Sequence, residues 1–195
     1  MTDRLTRGIQ YLNLAEMRAF CAKHALPLSI HVEGADGRLR RTSDRDRKDV
    51  VLRRILDFAR RGKRSEPTVY RRVVTSDAPL PSPVTARTKI HYGQYEKKNA
   101  AFLGAMQRLT AGAFKTGMIA RLVLRDFWTA GEAPTLKRFA VAWVRATAAH
   151  TKPRPEGAYL VDLWQGEAGP GWKRVRVQRA REARRELDRL IKNRQ

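Results

Sequence analysis

Pro67, Pro79, Pro81 and Pro83 fall within a stretch, from Lys63 to about Ile90, that carries no helical apolar period. Proline fixes φ and lacks an N–H, so neither a helix interior nor a central strand runs through such a segment. The chain is therefore expected to fold in two parts, joined by a proline-rich linker at 63–87. With 195 residues and 42% hydrophobic content, it is long enough to bury one substantial core or two small ones.

On the N-terminal side, Asn13 followed three residues later by Glu16 fits an N-cap and its capping-box partner. Leu14, Met17, Phe20 and Cys21 then recur at helical spacing, and Pro27 stops the run. Ser29 to Val32 and Arg38 to Arg41 flank the turn-forming run Glu33-Gly34-Ala35-Asp36-Gly37, which predicts a short basic hairpin or extended loop. A second helix is expected from Ser43 or Asp44 to Arg61-Gly62, with Val51, Leu52, Ile55, Phe58 and Ala59 on its apolar face. A short strand at Val69-Tyr70 and Val73-Val74 is the one element expected within the linker.

Beyond the linker, the apolar period predicts helices near 95–110, 116–129 and 134–150. Pro153 and Pro155 break the pattern before Tyr159 to Trp164, Gly166, Gly169 and Gly171 mark a turn, and a final helix runs from about Trp172 towards Asn193. The expected class is mainly α: a two-helix module at 12–62 with a basic hairpin insertion, then a helical domain at 88–195 ending in a long basic helix.

Charge sets the function class. The chain has 41 Lys and Arg against 19 Asp and Glu, a formal net charge of +22. Such self-repulsion calls for a polyanionic partner, and nucleic acid is the commonest one. A membrane surface is disfavoured, because only the C-terminal helix approaches the required amphipathic pattern. The lone Cys21 leaves no internal disulfide and points to a reducing compartment. With no signal-like apolar run in residues 1–20, the cytoplasm is expected, next to the nucleoid if the partner is DNA.

Residues 12–60 carry a further pattern: Leu14, Glu16-Met17-Arg18, Phe20, Leu26-Pro27 and Ser29, then Lys48, Val51-Leu52 and Arg54-Ile55. This resembles the SAP module, a helix-extended-helix DNA-binding motif. Ala25 stands where the family has a glycine, and residues 30–46 lengthen a turn that is normally tight. The resemblance implies duplex DNA binding with limited sequence reading, and places Ser29, Arg47 and Lys48 towards the DNA. Residues 88–146 are similar, through Lys98-Asn99, Phe102, Phe114-Lys115, Gly131, Thr135-Leu136, Ala140 and Trp143, to a helical domain of unknown function that follows SAP modules in bacterial proteins. That similarity implies no activity. The aromatic residues Phe102, Phe114, Phe127, Phe139 and Trp143 are expected to form a packed core.

Read from the residues alone, Arg47, Arg54 and Arg61 recur every seven positions beside Arg53 and Arg60, which lines up one side of a helix. Arg38, Arg40, Arg41 and Arg45 extend that basic surface. Twelve basic residues between Arg38 and Arg64 face only Asp44, Asp46, Asp49 and Asp57, so phosphate contact is expected. Such contacts position a protein on nucleic acid without specifying sequence, and structured RNA competes for the same arginines.

The last helix offers a second candidate surface at Arg174, Arg181 and Arg185, opposite an apolar set that includes Ala183, Leu187, Leu190 and Ile191. Glu182 with Arg185, Glu186 with Arg189, and Asp188 with Lys192 have the spacing of helical ion pairs. A protein partner could also dock through the C-terminal domain.

Catalytic signals are sparse. His24, His31, His91 and His150 lie far apart, one cysteine cannot build a thiolate zinc site, and the glycines near Gly166 lack the phosphate-loop spacing. No metal, no cofactor and no enzymatic activity are expected. The enzyme alternative rests on whether Glu96, Asp126, Glu132 and Asp162 converge.

Overall fold

The computed structural model describes residues 4–96, 98–149 and 171–194. They form a mainly α protein with one small three-stranded sheet. The helices are α1 (Arg4–Gly8), α2 (Leu14–Lys23), α3 (Lys48–Arg61), α4 (Ala100–Leu109), α5 (Met118–Thr129), α6 (Leu136–Ala148) and α7 (Trp172–Lys192). The strands are β1 (Ser29–Glu33), β2 (Leu39–Arg45) and β3 (Val69–Tyr70), in the order β2-β1-β3. The expectations for Tyr159 to Trp164 and for Gly166 and Gly169 lie outside the described residues.

The chain divides into two compact units, and the cut differs from the one expected at the prolines. Of the described residues, the first unit takes 4–29, 44–67 and 171–194; the second takes 30–43, 68–96 and 98–149. Two corrections follow. The C-terminal helix α7 belongs with the N-terminal helices rather than with a domain at 88–195. The body of the hairpin belongs with α4 to α6 rather than with the two-helix module.

The first unit is built around α2, α3 and α7. Asn13 caps α2 in a full capping box: its side chain accepts from the Glu16 N–H at 2.8 Å, and its own N–H donates to Glu16 Oε2 at 2.8 Å. Ala25 ends α2 with φ of 53°. That left-handed conformation costs an alanine about 1–2 kcal/mol, which explains why glycine suits the position. The second helix starts at Lys48, not at Ser43 or Asp44, because β2 continues to Arg45. It ends at Gly62, whose φ of 70° closes the helix with an N–H to the Phe58 carbonyl. Met17, Phe20 and Cys21 of α2 and Val51, Leu52, Ile55 and Phe58 of α3 pack with Ala180, Ala183 and Leu187 of α7.

In the second unit β1 turns back into β2 through residues 34–38, closed by the Gly34 N–H to the Arg38 carbonyl at 2.9 Å. β3 then pairs with β1 in parallel, with His31 opposite Val69 and Val32 opposite Tyr70. The proline stretch is therefore not a free linker. It contributes β3 and a 3-10 turn at Arg72–Val74, and buries Val74 and Val84 in the same core as α4, α5 and α6. Tyr70, Tyr92 and Trp128 meet edge to face at 5.0–5.9 Å, and the Trp128 Nε1–H donates to the Ile90 carbonyl. Phe102, Phe114, Phe139 and Trp143 are buried together, whereas Phe127 is half-buried under the Arg138 guanidinium.

Candidate nucleic-acid interface

In the first unit the described residues include 23 Lys and Arg against 9 Asp and Glu. The structure sorts these cations into two groups, those turned inward as braces and those turned to solvent.

Arg54 is a brace, which corrects the expected row of Arg47, Arg54 and Arg61. It is buried to 6% exposure, donates to Asp46 Oδ2 at 2.5 Å and to the Pro27 carbonyl at 2.9 Å, and so ties the chain before β1 to the chain after β2. Apolar residues occupy the same inner face of α3, so the seven-residue spacing that aligned these arginines aligned Arg54 with the core. Arg47 is half-buried as the N-cap of α3, with Asp49 at 3.4 Å. Lys48 reaches the Gln10 carbonyl, and Ser29 is buried in β1. None of Ser29, Arg47, Lys48 and Arg54 therefore lies in the open. Arg53 and Arg60 are exposed on the outer side of α3, with Arg53 3.8 Å from Asp49 and Arg60 bonded to Thr6, and Arg61 is exposed as the last residue of the helix.

Three arginines near α7 are braces that sequence reading missed. Arg176 donates to Glu16 at 2.8 Å and to the Tyr11 carbonyl at 3.1 Å, while Arg179 lies over the Tyr11 ring and donates to its hydroxyl at 2.6 Å. Partial burial alone would raise the Glu16 carboxyl, but the Asn13 N–H and Arg176 outweigh it and hold it below its ordinary value. Arg194 covers the Phe58 ring and bonds the Phe58 and Ala59 carbonyls, where a cation complements the C-terminal end of the α3 dipole.

The outer face of α7 is different. Arg174, Arg181 and Arg185, expected as a second surface, are exposed, and Lys192 joins them. At 3.6 residues per turn these four point within about 40° of one another and directly away from Ala180, Ala183 and Leu187. They span about 27 Å of helix at 1.5 Å per residue. Among the described residues none of the four has an ion-pair partner, because the expected helical pairs only partly form. Glu186 does meet Arg189, at 3.1 Å, but Glu182 bonds Gln178 and Asp188 turns to Lys23, which leaves Arg185 and Lys192 to solvent. The signal for Lys192 was its seven-residue step from Arg185.

The hairpin arginines Arg38, Arg40 and Arg41 are exposed on the second unit, and Arg45 is exposed at the end of β2 in the first. Arg40 is held by Asp36 at 3.2 Å. The Arg38 N–H and then Arg40 keep the Asp36 carboxyl below its ordinary range.

Cys21 and His24 do not form a nucleophile and base. Burial pushes the Cys21 thiol up to about 11, and the His24 ring is packed between Phe20 and Phe58 at 4.5 and 4.9 Å. Among the described residues no group of three or more His, Cys, Asp or Glu side chains is placed to hold a metal, and no helix is long and apolar enough to cross a membrane. Asp162 lies outside the described residues. No protein-family model matches the chain, no curated protein matches it, and no solved structure matches it.

Proposed function

We propose that this chain is a non-enzymatic nucleic-acid-binding protein that holds duplex DNA by its phosphate backbone, acting in the cytoplasm beside the nucleoid. The observation that carries this reading is the α7 stripe: Arg174, Arg181, Arg185 and Lys192 aligned over about 27 Å with no ion-pair partner among the described residues. A duplex carries one negative charge per roughly 1.7 Å of axis, so a helix face of that length meets phosphates along its whole extent. The contacts are to backbone, which positions the protein without reading bases. DNA is preferred over RNA on the SAP-like reading of residues 12–62, which the left-handed Ala25 at the family's glycine position favours. On that reading the two-helix module is the scaffold, and α7 supplies the charge that the inward-facing Arg54 and Lys48 do not.

The test is fluorescence anisotropy with matched duplex DNA and duplex RNA over a salt series, using the wild type and a variant with all four stripe residues changed to alanine. Alanine is the best helix former, so α7 is retained. Each neutralised phosphate contributes about 0.9 to the salt slope, so the variant should lose about 3.6 of it and bind on the order of tenfold more weakly, or worse. Tighter binding to the RNA duplex would transfer the reading to structured RNA. Absence of binding to both at low salt would refute it.

A further inference from the structure

The second unit has an excess of its own, with 15 Lys and Arg against 6 Asp and Glu among its described residues. Part of it is concentrated at one place, where the chain leaving a tight turn at 85–88 runs antiparallel beside the start of α6. Lys89 is the bridge partner of Thr135, the Ile90 N–H donates to the Pro134 carbonyl at 2.9 Å, and the Leu136 and Lys137 N–H groups donate to the Thr88 and Ala86 carbonyls at 2.9 and 3.0 Å. Ile90 is buried in the core, whereas Arg87 and Lys89 are exposed. The pairing sets exposed Lys137 beside them, on the first turn of α6.

The place is rigid. Thr85 and Thr88 close a tight turn, with the Thr85 N–H donating to Thr88 Oγ1 at 2.9 Å and the Arg87 N–H to Thr85 Oγ1 at 3.3 Å. Glu33, Asp36 and Asp77 are engaged by Arg71, Arg40 and Arg72, and Glu132 is taken by Arg138 at 2.8 Å. Arg87, Lys89 and Lys137 have no ion-pair partner among the described residues. The N-terminal end of the α6 dipole adds to their positive potential. Its leading N–H groups are already bonded to 86, 88 and the Thr135 cap, so the side chains, not the helix end, are what a ligand meets.

We propose that Arg87, Lys89 and Lys137 form a phosphate-backbone contact surface of the second unit's own, in addition to α7. This rests on the nucleic-acid reading above and adds a binding surface to it. Cations on backbone already held by hydrogen bonds add no cost of backbone ordering on contact, which favours them over equally charged side chains on mobile chain.

The experiment compares three full-length proteins by duplex-DNA anisotropy over a salt series. They are the wild type, a variant with Arg87, Lys89 and Lys137 changed to alanine, and a charge-matched control with Arg108, Lys115 and Arg145 changed to alanine. If all three patch residues meet phosphates, the patch variant should lose about 2.7 of the salt slope. The control should lose less than one. A glutamine version of the patch variant, with an unchanged circular dichroism spectrum, guards against a folding defect. Equal losses in patch and control variants, with steep wild-type binding retained, would overturn the second surface and leave the α7 reading in place. No binding by the wild type would remove both.

Discussion

Changing Arg54 to alanine would leave the Asp46 carboxylate, whose side chain is only 4% exposed, buried without its guanidinium. Breaking a buried pair from one side costs about 3–5 kcal/mol, because the remaining charge keeps its desolvation penalty. Urea unfolding should show a loss of that size for Arg54→Ala, and a much smaller one when Arg54→Met is combined with Asp46→Leu. A cost below about 1 kcal/mol would mean that water reaches Asp46 after all. The same residue marks a boundary of what sequence can tell. An arginine aimed at a phosphate and one aimed at a carbonyl are written identically, and the period that aligned Arg47, Arg54 and Arg61 is as good for a core face as for a basic one. The deciding partner, Asp46, lies eight positions before Arg54, outside the three- and four-residue spacings that sequence reading recognises as helical pairs. Residues whose role is local were legible: Asn13 with Glu16 is a capping box because both partners lie within one turn.

At the level of elements, helix existence was easier to read than helix destination. The apolar period of α7, through Ala183, Leu187, Leu190 and Ile191, announces a buried face but not what covers it, since amphipathicity carries no address. In the fold that face meets α2 and α3, more than a hundred residues earlier in the chain. The proline stretch misled for a related reason. Proline excludes helix and central strand, yet Val74 and Val84 beside those prolines still reach a core as irregular chain. Leu187→Ala tests the destination directly. Leu187 has no exposure, and emptying such a site costs about 2–5 kcal/mol. Hydrogen exchange should accelerate at amides of α2 and α3, which share the Leu187 core, and stay unchanged in α5 and α6. The reverse pattern would return α7 to the C-terminal domain that its sequence position suggested.

For the whole molecule the governing quantity is the net charge of +22, and it is shared: each unit's described residues carry more than twice as many cations as acids. That excess was legible from composition. What composition could not supply was its sorting into inward braces such as Arg54 and Arg176 and an outward stripe on α7. Like charges facing solvent repel over a Debye length, which shrinks from about 20 Å at low salt to about 8 Å near 0.15 M. Screening should therefore stabilise this protein, the opposite of what a fold held by surface ion pairs would show. Thermal unfolding between about 20 and 300 mM sodium chloride is expected to move upward by a few degrees, at roughly 2–4 °C per kcal/mol of relieved repulsion. The variant lacking the four α7 cations should start from a higher melting temperature at low salt and respond less, because the repulsion it has lost is the part that screening would otherwise remove. A duplex at about a hundredfold its Kd adds about 2.7 kcal/mol by linkage, so it should raise the wild-type transition further and the variant's little. A melting temperature that falls with salt would mean that the exposed pairs, not the repulsion, dominate the surface, and the outward stripe would then lose its claim to be waiting for a polyanion.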